Sequence, residues 1–187
     1  MKQTDHQFAT NDGRRGRLLA YGPSFSGALL TYLLSLSTES RSRFGPHPFT
    51  EEGIEANFAG PDAALGFVAC EEPSGAVVGY ALLKPGLLDA DALRYAGYSN
   101  GILPEETCTF APSVADNWQG SGLARQLFEV VKQTALDSGF RTMVLWGGTQ
   151  ATNARAIAFY RRLGFHEAGR FEHNGSNLDM WIELWDR

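Results

Sequence analysis

Between Glu106 and Asp137 the sequence changes character twice within about thirty residues, and that succession constrains the fold more than any other feature. "ETCTFAPSV" is an apolar run of strand length, and "ADNWQGSG" is rich in small and turn-forming residues. From Gly122 onward Leu123, Leu127, Val131 and Ala135 recur at helical spacing, while Arg125, Glu129, Lys132 and Asp137 fall on other faces. A strand that breaks into glycines and runs straight into an amphipathic helix belongs to an α/β layer, not to a helical bundle or a sandwich. Gly139 is the expected stop of that helix.

The turn itself, "Gln119-Gly120-Ser121-Gly122-Leu123-Ala124", admits two readings. One is an ordinary glycine turn. The other is a cradle in which backbone N–H groups converge at a helix N-terminus, where the helix dipole favours an anion, with the two glycines letting the main chain approach it closely. Two familiar phosphate loops do not fit the letters. A Walker loop requires Gly-Lys-Ser/Thr, and Gly122 is followed by Leu123 and Ala124. A Rossmann fingerprint requires a small residue three places after its second glycine, where Arg125 stands.

Elsewhere the pattern alternates strands and helices. "RLLAY" (17–21) reads as a strand, and "GPSFSGALLTYLLSLSTESRSRF" as a turn followed by one amphipathic helix ending near Phe44, with Leu29, Leu33 and Leu36 on its apolar face. Thr50 caps a short helix in "TEEGIEANF". "ALGFVACEE" and "AVVGYALLK" flank Pro73-Ser74-Gly75 and read as adjacent antiparallel strands. The stretch from Pro85 to Pro104 lacks a clear period and is expected to be a long loop, with room for a short helix, beside the active region. Pro112 predicts a bulge or divergence in the fourth strand. "RTMVLWGGT" is a buried fifth strand, "NARAIAFYRRL" a helix ended by Gly164, and "HEAGRF" and "LDMWIELW" two closing strands around "EHNGSN".

Length and composition narrow the class. At 187 residues, 43% hydrophobic and 20% charged, the chain is expected to form a single domain spanning 1–187. A net charge of −5 argues against a surface built to neutralise nucleic-acid phosphates. The polar first seventeen residues carry no secretory h-region, and no apolar run approaches the ~20 residues of a membrane span, so a cytoplasmic protein without membrane partners is expected. Cys70 and Cys108 read as buried thiols, and the four histidines lack metal-ligand spacing, so no metal is expected. Arg14, Arg15 and Arg17 fit an acidic partner and a solvated N-terminal segment equally well.

Joined to the C-terminal half, the glycine turn resembles the Gln/Arg-x-x-Gly-x-Gly/Ala signature of the GNAT acetyltransferase superfamily. There the loop holds the pyrophosphate of coenzyme A. Asn153, Ala156, Tyr160, Gly164 and Phe165 fall in order on the family's Asn-x-x-Ala-x-x-x-Tyr-x-x-x-Gly-Phe pattern. The close match covers about 107–165. It implies an α/β fold with a mixed, mostly antiparallel central sheet of about six to seven strands, flanked by helices and splayed between strands 4 and 5. It also implies an N-acetyltransferase that moves the acetyl group of acetyl-CoA directly to a primary amine on a small molecule, peptide or protein.

The resemblance carries roles with it. Gln119, Gly120, Ser121, Gly122, Leu123 and Ala124 would bind the pyrophosphate, and the main chain of Val114 and Ala115 the pantetheine arm and the thioester oxygen. Asn153 would bind coenzyme A or a nearby water, Tyr160 would protonate the departing sulfur, and Glu106 would serve as general base. Separated by seven positions, Asn153 and Tyr160 return to one helix face to within about 20°. Each has an ordinary alternative: a helix N-cap for Asn153, a core aromatic for Tyr160, solvated loop acids for Glu105, Glu106 and Asp116. Trp118, Trp146, Trp181 and Trp185 are explained by packing, with Trp146 also a candidate border of the acceptor cleft. Two other functions stay open: a catalytically degenerate acyl-CoA-binding sensor or scaffold, and a nucleotide-binding domain. A homodimer is left open as well.

Overall fold

The structure, a computed structural model, describes residues 4–98 and 101–184; Trp185, expected in the last strand, lies outside them. The N-terminus departs first from the sequence reading. β1 (Asp5–Ala9) and β2 (Arg15–Ala20) form an antiparallel hairpin in which Phe8 faces Gly16 across the ladder. The expected polar tail therefore carries strand at 5–9 and 15–17. Its signal was the Asp12-Gly13 pair, with Gly13 at φ 85° closing the turn, and β1 was missed because Phe8 is its only buried residue. Gly16 has no substitute, since a Cβ there would lie 2.1 Å from the Cys70 carbonyl oxygen and 2.5 Å from the Phe8 ring.

The chain divides into two compact units, each made of separate stretches. The first comprises the chain up to Leu83 together with Ala111–Lys132, and the second Lys84–Phe110 together with the chain from Gln133 onward. In the first unit the strand order is β1, β2, β3 (Leu65–Glu71), β4 (Val77–Pro85), then the Ala111–Val114 half of β5 (Thr107–Val114). β3 and β4 are antiparallel as expected, and their side chains are buried almost throughout.

Between β2 and β3 this unit carries α1 (Ser26–Ser35), α2 (Thr38–Arg43) and α3 (Glu51–Ala56). Thr50 caps α3 by accepting the Gly53 N–H. One helix was expected where α1 and α2 stand. The chain turns extended at Leu36 (ψ 142°), and Ser37 restarts it as an N-cap accepting the Ser40 N–H, with Glu39 in the first turn and Arg41 and Arg43 in the last. Leu29, Leu33 and Leu36 are nonetheless buried together.

In the second unit the Thr107–Phe110 half of β5 runs parallel to β6 (Thr142–Leu145). β6 pairs antiparallel with β9 (Ser176–Glu183), which also pairs with β7 (Thr149–Gln150) and β8 (His166–Glu172). The ladder between β5 and β6 ends at Phe110, whose carbonyl accepts the Trp146 N–H, just ahead of Ala111-Pro112. That is the interruption Pro112 foretold. α5 (Leu123–Asp137) begins in the first unit and ends in the second, with Leu123, Leu127, Val131 and Ala135 buried. α6 (Ala154–Leu163) ends at Gly164, φ 98°.

The described residues thus form a mixed α/β fold with nine strands, mostly antiparallel with one parallel pair, and flanking helices. Two strands beyond the expected seven come from β1 and from "RTMVLWGGT", which Trp146–Gly148 splits into β6 and β7.

The expected loop after β4 holds a helix, α4 (Asp89–Tyr95), fixed by buried charge. Arg94 grips Asp179 with two hydrogen bonds (2.7 and 2.9 Å) and donates to Asp91 at 2.6 Å. The second oxygen of Asp91 accepts the Gly147 N–H, Tyr98 donates to Asp179, and the guanidinium lies 3.7 Å above the Phe171 ring. Among the described residues no helix is long and apolar enough to cross a membrane. Both cysteines are free and buried; burial pushes the Cys108 thiol up to about 12 and raises Cys70 as well.

Candidate functional site

The glycine turn is built by its neighbours in the first unit. After β5 a single 3-10 turn, Asp116–Trp118, reverses the chain, and Gly120 and Gly122 both take left-handed backbone angles (φ 83° and 93°). Ser121 looks inward: its hydroxyl donates to the Trp118 carbonyl at 2.7 Å and its N–H to the same oxygen at 3.3 Å. The Leu123 N–H donates to the Ser121 hydroxyl, and the first helical bond of α5 runs from Gln126 N–H to the Gly122 carbonyl. Among the described residues the N–H groups of Gly120, Gly122, Ala124 and Arg125 have no protein acceptor. These donors cluster at the positive end of a 15-residue helix.

Gln119 turns its amide to Asp116, Ser40 and the Val114 carbonyl, at 3.3 to 3.4 Å. Asp116 accepts from the Ser37 N–H, the Ser37 hydroxyl and the Ser40 hydroxyl, so the start of α2 and the entrance of the glycine turn share one carboxylate. Partial burial works against ionisation of Asp116, but the hydrogen bonds from Ser40 and Ser37 outweigh it and hold its pKa below the usual carboxylate value. A carboxylate so stabilised is a poor proton acceptor.

At the end of β5 the Ala115 N–H donates to the Val78 carbonyl (2.9 Å), and the Ala115 carbonyl accepts the Trp118 N–H (2.8 Å). Ala115 therefore offers a ligand no free N–H, and its main-chain contact would run through its carbonyl. The Val114 and Ala115 carbonyls each have a second lone pair. Ser113 shares a hydrogen bond of 2.9 Å with Tyr32, a contact the sequence did not announce.

In the second unit Asn153 is the N-cap of α6, its side-chain oxygen accepting the Ala156 N–H at 3.2 Å. The cap geometry leaves its amide N–H group without a protein acceptor among the described residues. Tyr160 is buried, its ring set against Phe159 and Phe165. Its hydroxyl has no hydrogen-bond partner among the described residues. Burial raises the phenol's pKa, so the proton stays on oxygen throughout the neutral range. Glu106 ends a 3-10 turn before β5, and its carboxylate lies 3.8 Å from the Arg141 guanidinium in a half-exposed pair. Trp146 is half-buried.

A family model for the acetyltransferase (GNAT) family matches residues 30–165. The chain belongs to that family. No curated protein sequence matches this GNAT chain. Among solved structures it is similar to the GNAT domain of S. lividans PAT, at 16% identity and a TM-score of 0.76, covering 96% of this chain and 97% of the other. The ribosomal-protein-S18-alanine N-acetyltransferase of Escherichia coli follows at 19% identity and a TM-score of 0.65, covering 92% and 96%. A GCN5-related N-acetyltransferase from Kribbella flavida shares 18% identity with a TM-score of 0.63, covering 89% and 98%. Such identities speak for the shared fold.

Among the described residues the glycine turn of this GNAT chain presents backbone N–H groups without a protein acceptor, the kind of donor an anion takes. A Cβ on Gly122 would sit 3.3 Å from the Asn11 amide and would need φ 93°, so Gly122 makes room for the Asn11 side chain on that side.

Proposed function

We propose that this GNAT chain is an acetyl-CoA-dependent N-acetyltransferase acting directly on a primary amine of a small molecule, peptide or protein. The observation that carries the reading is the group of N–H donors at Gly120, Gly122, Ala124 and Arg125, without a protein acceptor among the described residues and collected where the dipole of α5 attracts an anion. In this reading those donors hold the diphosphate, while Gln119, Ser121 and Leu123 keep the turn in shape. The carbonyls of Val114 and Ala115 accept from the pantetheine amides, and the free amide hydrogens of Asn153 bind the coenzyme or a water beside it.

Acetyl-CoA supplies the activated acetyl thioester. Tyr160 has the proton that the departing sulfur needs. Its raised pKa keeps the proton on oxygen through the neutral range, so the phenol enters the reaction in its protonated form. Glu106 is assigned the proton of the attacking ammonium, supported by its place at the approach to β5. Both cysteines are buried with raised pKa values, which favours direct attack by the amine over a thiolate nucleophile.

Thiol release from acetyl-CoA, measured across a panel of amines, tests the activity. Turnover with at least one amine, rising with pH as the amine and its base deprotonate, is expected. Tight acetyl-CoA binding with no thiol release would instead make the chain a sensor or scaffold. Glu106→Gln should lower turnover at least ~10-fold at neutral pH; an unchanged rate and pH profile would move that role to a water or another acid.

A further inference from the structure

The N-terminal hairpin meets the glycine turn inside the first unit, and the contacts are specific. The Asn11 N–H donates to the Ser121 carbonyl at 2.9 Å, and the Gln126 side chain reaches back to the Ala9 carbonyl at 2.8 Å. Arg14 donates to the Asn117 carbonyl at 3.1 Å, and its guanidinium lies 3.9 Å over the Trp118 ring, which Phe8 meets edge-on. Residues on both sides of the glycines are thus tied to the Ala9–Arg14 corner.

That corner also manages its own charge. Asp12 is held by the Arg14 guanidinium and the Thr10 hydroxyl, so the one carboxylate of the hairpin turn is paired with a cation. Asn11 beside it is different. Its side chain is exposed and has no hydrogen-bond partner among the described residues, and both its amide nitrogen and oxygen lie 3.3 Å from the point where a Gly122 Cβ would stand. The Asn11 amide thus packs against the side of Gly122 on which a side chain would stand, a neutral donor where a carboxylate would repel an anion.

We infer that the Thr10–Arg14 turn is part of the coenzyme-binding apparatus, bracing the glycine turn from outside and placing the Asn11 amide as a side-chain donor to the diphosphate. The inference rests on the acetyl-CoA reading above and adds to the donor set a residue more than a hundred positions upstream of the motif. Asn11 acts on binding and not on the transfer of protons.

The test compares Asn11→Ala and Asn11→Asp with the natural chain. Calorimetry measures acetyl-CoA, and NMR titration measures S-acetylpantetheine, which keeps the thioester and lacks the diphosphate. Asn11→Ala should weaken acetyl-CoA binding by about 3- to 10-fold and Asn11→Asp by at least ~10-fold, as expected for losing a donor to a charged group and then opposing it. S-acetylpantetheine affinity should stay within about 2-fold, since an unaltered fold leaves its contacts intact. Unchanged acetyl-CoA affinity in either folded variant overturns the assignment, and so does an equal loss for both ligands, which would make Asn11 a structural residue. Should Asn11→Asp fail to fold by circular dichroism, Asn11→Ala decides alone. A natural chain that binds no acetyl-CoA overturns the coenzyme reading itself, a result distinct from failure of the variants.

Discussion

The glycine turn before α5 and the helix α6 carry the two halves of the family's motif, and they are built on opposite principles. On the proposed reading the turn acts mainly through main-chain groups: Gly120 and Gly122 supply conformations, not functional side chains, and most of its donors are backbone N–H groups. On the same reading α6 acts through side chains, an amide at its cap and a phenol in an aromatic cluster whose hydroxyl has no partner among the described residues. A site made of backbone tolerates many side chains and fails when its shape changes, whereas a site made of one hydroxyl keeps its shape and fails when that atom goes. Binding and turnover should therefore separate by element.

Tyr160→Phe is the sharpest way to break this division. It deletes the hydroxyl and keeps the ring between Phe159 and Phe165, so turnover should fall at least ~10-fold and toward ~100-fold, with the dissociation constant for acetyl-CoA within a few-fold. Equal losses in binding and turnover would make the phenol a coenzyme ligand. Normal turnover per folded molecule would make it a core aromatic.

Gly122→Asp should do the reverse. It forces a side chain into φ 93° against Asn11 and places a negative charge at the donor cluster, so acetyl-CoA affinity should drop at least ~10-fold, about 1.4 kcal/mol or more. Unchanged affinity in a calorimeter, with a folded variant, would remove the diphosphate from this turn.

The smallest effect belongs to the turn's entrance. Because the folded pKa of Asp116 is lowered, its carboxylate contributes stability above the ordinary value near ~4, and that contribution is lost as pH falls through the folded value. Asp116→Asn should lower the melting temperature by a few degrees at pH 7 and make little difference near pH 2. A penalty of equal size at both pH values would show that shape, not charge, holds Ser37, Ser40 and Gln119 together.

What could be read from the letters follows the same contrast. The glycine turn, the α5 face and the order Asn153, Ala156, Tyr160, Gly164 were legible because their signals lie within one element each. The Thr50 cap and the β3–β4 pairing were legible for the same reason. The split between α1 and α2 was hidden because the apolar spacing of Leu29, Leu33 and Leu36 continues across the break, while Ser37 quietly restarts the chain. Arg94 and Asp179 stand 85 positions apart, so the sequence allows a short helix between Pro85 and Pro104 without showing what fixes α4 there. Asn11 escaped because an Asn beside Asp12-Gly13 looks like turn chemistry alone. Only the folded chain shows what that turn rests on.

The discontinuous make-up of the first unit also sets an order of events on the ribosome. When Leu83 has emerged, β1 to β4 are available, yet the Ala111–Val114 edge and the glycine turn that the hairpin braces are still to come. At roughly 5–20 residues per second, the nascent chain waits about 3–10 seconds before Lys132 follows. Throughout that interval the outer edge of β4, apolar on both faces, has no strand beside it. An open edge of this kind recruits strands from neighbouring chains. Slow synthesis through 84–132 should thus favour aggregation, and rapid synthesis of this stretch should raise the soluble yield.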